Sequence, residues 1–200
     1  MNLWTHDIRR SGILTVFNGT NGSWAHAIEV AVNLFNAMCK HYKIGVHLKP
    51  EKDENKANIV VKLAEGSGQY PYKDETVNLT VPAGVIHGMT HTFAPNDYIE
   101  KAVIFLPTNP QIQAGFRKEG VMSYESLSAG ARSVVAAHEF VHACGMDSND
   151  DHDKTGGLFY ARLEPKGNGL VEWASKKPGM PPLRMEGDSL AYFKQQWEKE

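Results

Sequence analysis

The sequence predicts an α/β domain, and three features predict it. Short runs rich in branched and aromatic residues recur through the first half of the chain at strand length. Two longer stretches, about 24–41 and 126–144, instead suit helices, the first with apolar residues spaced four and three apart. Clusters of Gly, Pro, Asn and Asp punctuate the chain between them. The expected architecture is a twisted mixed β-sheet with a backing helix, a second long helix, and a small C-terminal part ending in a helix. A chain of 200 residues suits one domain, 1–200, large enough to bury a core without staples.

The elements are expected in the following order. Residues 12–18 (GILTVFN) form a first strand, and the loop NGTNG follows. Ser23 caps a helix over 24–41, whose apolar face is Trp24, Ile28, Ala31, Phe35 and Met38. Strands follow at 44–49 and 57–63, separated by the charged turn PEKDENK, and the Gly/Ser/Pro-rich EGSGQYPY is expected to be a loop. Residues 77–81, 84–92 and 102–106 are extended, and Pro107 and Pro110 stop the last of them. The second long helix starts near Ser126 or Ser128, and Gly145 ends it. Residues 158–174 are expected to form a hairpin around PKGNG. The last helix, in GDSLAYFKQQWEKE, is capped by Asp188 or Ser189 and buries Leu190, Phe193 and Trp197.

Composition excludes several function classes. A net charge of −2 with no basic stripe argues against nucleic acid as a partner. No run approaches the roughly 18 apolar residues of a membrane span, so no membrane partner is expected. The N-terminus MNLWTHDIRR has no signal-like apolar run. Its expected location is the cytoplasm or a non-classical export route, unless a leader has been trimmed. Cys39 and Cys144 are too few for a disulfide framework and are expected to be reduced, buried thiols.

The chemistry-bearing motif is His138-Glu139-Phe140-Val141-His142. Positions i and i+4 share a helix face, so both imidazoles can reach one ion. Glu139, beside the first ligand, can approach a water held there. Neutral nitrogen ligands, an open coordination position and a carboxylate base are what a zinc hydrolase requires. Such a site also needs a third protein ligand. His152 is the one histidine downstream of the motif, in the loop MDSNDDHDKTGG, and Asp147 and Asp151 are the alternatives.

In His138, Glu139, His142 and Gly145 the segment HEFVHACGMDSNDDHD resembles the metzincin zinc peptidases, whose motif is H-E-x-x-H-x-x-G-x-x-H or Asp. The family's third-ligand position falls on Ser148, a poor zinc ligand, and an insertion before His152 lets the loop return to the metal. The resemblance extends to element order. Matrixin-like members have a helix, a strand, an edge strand, another strand and then the active-site helix. Here these correspond to helix 24–41, ANIVVKL, GVIHGMTHTF, KAVIFLP and helix 126–144. It implies a metzincin-like fold, with 1–145 as an upper part and 146–200 as a lower part. It also implies that the segment near 84–92 is an edge strand pairing with an extended protein or peptide substrate.

The family also places a methionine turn beneath its zinc. Met180 in PGMPPLRM is the expected residue, and GGLFY, with Phe159 where methionine belongs, is the other position. Tyr160 is a candidate second donor to an oxyanion. His87 and His91 do not carry over as a second metal site, because the acidic partners expected after IFLP are missing.

The expected function is therefore a zinc-dependent endopeptidase with Glu139 as general base and Zn2+ as cofactor. Two other classes stay open. One is a zinc-binding structural or adaptor protein without proteolysis. The other is a hydrolase of non-protein amides.

Overall fold

A computed structural model describes residues 2–81, 88–116, 122–146, 158 and 183–198, with only the backbone of 112–116 and 122–125. In chain order the elements are β1 (Leu3–Trp4), α1 (His6–Ser11), β2 (Ile13–Asn18), α2 (Gly22–Tyr42), β3 (His47–Glu51), β4 (Ile59–Ala64), β5 (Gly66–Tyr72) and β6 (Glu75–Val81). There follow β7 (Met89–Phe93), β8 (Tyr98–Ile99), β9 (Lys101–Pro107), β10 (Gln111–Phe116), β11 (Met122–Ser126), α3 (Ala129–Ala143) and α4 (Gly187–Gln196). The protein is of mixed α/β class, with one five-stranded sheet in the order β3-β2-β4-β9-β7. Strands β3, β2, β4 and β9 are parallel, and β7 runs antiparallel to β9 at the sheet edge.

Both faces of this sheet are covered, which explains why KAVIFLP is buried along its whole length. Successive side chains of a strand point to opposite faces. Ala102, Ile104 and Leu106 therefore join the core shared with α2 and α3. Val103 and Phe105 face the other way, into a second cluster with Val60, Tyr70, Val81 and Phe93. The antiparallel pair β5–β6 contributes Tyr70 and Val81 to that second face.

EGSGQYPY was expected to be a loop, and most of it is strand β5. Its loop-like composition has a packing reason. A Cβ on Gly68 would stand 2.5 Å from the Phe105 ring, so only glycine lets the strand lie this close.

Helices α2 and α3 pack together through Phe35 and Phe140, whose ring centroids are 6.1 Å apart in an edge-on arrangement. Phe193 of α4 meets Phe35 from another side at 6.2 Å. All five apolar residues expected on α2 are buried. The expected cap is not Ser23, however: Asn21 is the N-cap, without a side-chain cap bond. Ser23 lies inside the first turn, where its Oγ accepts from Arg132 Nη1 at 2.7 Å. Arg132 also donates to Leu127 O and stacks over Trp24, tying the start of α3 to the start of α2.

Other boundaries moved by a few residues. The strand expected at 44–49 is β3 at His47–Glu51, and that at 57–63 is Ile59–Ala64. The last helix is capped at Glu186, not at Asp188 or Ser189; Phe193 and Trp197 are buried as expected, but Leu190 is only partly buried. Elements β1, α1, β8, β10 and β11 were not anticipated. The expected hairpin at 158–174 lies outside the described residues except for Leu158, as does most of the lower part expected from 146 on. Among the described residues, no helix is long and apolar enough to cross a membrane. Cys39 and Cys144 are free and buried, and burial raises both thiol pKa values, so neither has thiolate character.

Candidate metal centre

Helix α3 carries the motif, and both of its ends are firmly specified. Ser128 is the N-cap, its hydroxyl accepting from Ala131 N at 3.2 Å. At the other end Gly145 takes φ 109°. Gly145 N donates to His142 O, and Met146 N donates to Val141 O, the paired bonds of a Schellman turn. The helix's last carbonyls are then capped from outside. Trp4 Nε1 donates to Ala143 O at 3.0 Å, Trp197 Nε1 to Cys144 O at 3.2 Å, and Gln196 Nε2 to Gly145 O at 3.1 Å. These donors satisfy acceptors that a buried helix end would otherwise leave unpaired.

That turn also orients a histidine. It brings the Met146 carbonyl to 3.1 Å from His142 Nδ1. The Leu158 carbonyl stands 2.9 Å from His138 Nδ1. Leu158 is itself held by its N–H to Arg184 O at 2.7 Å. A carbonyl oxygen only accepts, so Nδ1 carries the hydrogen in both rings. Each neutral ring then presents its lone pair at Nε2, and the two Nε2 atoms are 3.1 Å apart.

Two lone pairs facing each other at that distance repel unless a cation or a proton lies between them. The geometry suits zinc. An ion about 2.05 Å from both nitrogens would see them at roughly 100°, close to tetrahedral. Backbone carbonyls on Nδ1 are also the usual orienting partners of zinc-bound histidines.

Glu139 lies between the two histidines in sequence and is 3% exposed. Its side chain turns toward the sheet edge. Thr90 Oγ1 donates to Glu139 Oε2 at 2.6 Å, and the Gly88 backbone lies against the same side chain. Burial pushes the Glu139 carboxyl up to about 7, against the opposing pull of the Thr90 hydroxyl.

Gly88 is tightly fitted. A Cβ there would stand 2.7 Å from Glu139 Cγ, 2.8 Å from Cδ and 2.9 Å from Leu106 Cδ2. Neither Gly88 nor Thr90 was singled out from the sequence. The available signal was the alternation within MTHTF, which sets Thr90 on the strand face opposite His91.

His138 and His142 are thus brought together, whereas the carboxylate of Glu139, the next residue after His138, is turned to Thr90. Among the described residues no group of three His, Cys, Asp or Glu is placed to hold a metal, and Glu139 does not make one with the two histidines. His152, Asp147, Asp151, Ser148, Phe159, Tyr160 and Met180 lie outside the described residues. His91, whose counterpart His87 also lies outside them, stands 3.3 Å from Glu75 and packs on Phe93, away from the α3 site. No family model matches the chain, and no curated protein is significantly similar to it.

Proposed function

We propose that this protein is a zinc-dependent endopeptidase, with His138, His142 and His152 holding the ion and Glu139 as general base. The observation that carries the reading is the convergence of two oriented Nε2 atoms at 3.1 Å on a helix turn that also carries the buried carboxyl of Glu139. A purely structural zinc site would have no use for that carboxyl, which is costly to bury.

When bound, zinc polarises a substrate carbonyl and lowers the pKa of water toward about 7. The chain's own residues supply the rest. His138 and His142 are held in one tautomer by Leu158 O and Met146 O. Glu139 takes a proton from the attacking water and passes it to the leaving amine. Strand β7, at the sheet edge beside α3, offers backbone groups to an extended peptide.

The order of elements supports the metzincin resemblance. Helix α2, strand β4, antiparallel edge strand β7, strand β9 and helix α3 occur in the chain order of that family's upper half, with β3, β5, β6, β8, β10 and β11 interspersed.

The test is hydrolysis of mixed peptide and simple amide substrates, with and without chelator. Chelator-sensitive peptide cleavage supports the reading. Cleavage of amides alone makes the protein an amidase, and zinc binding without any hydrolysis makes it a structural module.

A further inference from the structure

The Glu139 carboxylate is tied to the sheet edge more firmly than to its own helix. Thr90 Oγ1 lies 2.6 Å from Glu139 Oε2 but 3.5 Å from Glu139 O, so its one hydrogen goes to the carboxylate. The missing Cβ of Gly88 leaves the space that Glu139 Cγ and Cδ occupy. Thr90 pairs with Ile104 in the ladder, which fixes its backbone. Its neighbours His91 and Phe93 touch each other, with Phe93 in the second cluster, so Thr90 faces α3.

We infer that Thr90 is a positioning residue for the base: its hydroxyl clamps Glu139 to β7 and fixes the carboxylate relative to a substrate on that strand. This inference rests on the endopeptidase reading. Without the clamp the carboxylate can turn away from the water it must deprotonate. Such a loss of aim lowers turnover and leaves substrate affinity nearly unchanged.

The experiment compares the parent with Thr90→Val, which keeps the shape and loses the hydroxyl, and Thr90→Ser, which keeps the hydroxyl. Steady-state kinetics on a peptide substrate are measured alongside zinc content. A double-mutant cycle of Thr90→Val with Glu139→Met, read by denaturant unfolding of the protein as purified, tests the contact itself.

The expected result is a kcat about ten- to a hundredfold lower in Thr90→Val, with KM and zinc content unchanged and most of the turnover restored in Thr90→Ser. In the cycle, Thr90→Val costs clearly less when Glu139 is already methionine. A cycle that is additive overturns the clamp whatever the activity. A cleaving parent whose Thr90→Val variant keeps the parental kcat overturns the positioning role and leaves the endopeptidase reading intact. A parent that cleaves nothing, with coupling still present in the cycle, overturns the endopeptidase reading and leaves the contact standing.

Discussion

His138 Nε2 and His142 Nε2 stand 3.1 Å apart because two backbone carbonyls, Leu158 O and Met146 O, hold the opposite edges of their rings. The site therefore depends on how α3 ends as much as on the motif. The turn at Gly145 presents Met146 O, and the chain at Leu158 presents the other carbonyl.

Replacing Glu139 with Gln removes the base and keeps an acceptor for Thr90. Zinc content should be unchanged, and hydrolysis should fall by about 10²–10⁴-fold. Kinetics and metal analysis on the same preparation check this. Near-parental turnover would mean that Glu139 is not the base.

Gly88→Ala places a methyl within 2.7 Å of Glu139 Cγ and 2.9 Å of Leu106 Cδ2. The carboxylate must shift, at a cost of about 1–3 kcal/mol in stability. Hydrolysis should drop with zinc retained, because the added methyl meets Glu139 and Leu106, neither of which is a ligand. Full activity with parental stability would show that the Glu139 side chain tolerates displacement.

The motif helix was legible in the sequence because its signals are local. The i, i+4 histidines, the Ser128 cap and the Gly145 stop all lie within one element. What escaped depends on distant partners. Thr90 and Glu139 are 49 positions apart, and nothing in either segment names the other. Strand β5 looked like a loop because Gly68 and Pro71 disfavour a strand by composition. Phe105 beneath it and β6 beside it reverse that preference. Ser23 has the right chemistry for a cap, but Arg132, 109 positions away, engages its hydroxyl from the packed helix.

Trp4→Phe keeps most of the ring and loses the N–H that caps Ala143 O inside the core. An acceptor stranded in a buried helix end costs about 1–3 kcal/mol. Denaturant unfolding should show a loss of that size. A variant as stable as the parent would mean that Ala143 O finds another donor.

The third ligand should be His152, since Ser148 occupies the family's usual position. Losing one of three ligands weakens zinc by orders of magnitude, whereas losing a solvated loop charge barely registers. Zinc titrations against a competing chelator should therefore separate His152→Ala from Asp147→Ala and Asp151→Ala. Parental affinity in His152→Ala, with a loss in one Asp variant, would make the site His-His-Asp. Parental affinity in all three would place the third ligand elsewhere and remove the metzincin resemblance.

The most direct measurement is the metal content of untagged protein purified without chelator, by elemental analysis. Two oriented imidazoles with Nε2 atoms at 3.1 Å should hold zinc at about one ion per chain, and His138→Ala and His142→Ala should each lose it. Folded protein that reproducibly carries no metal, and takes up none when zinc is added, would contradict the account. The histidine pair would then be bridged by a proton, and Glu139 would be a buried acid without the role assigned to it.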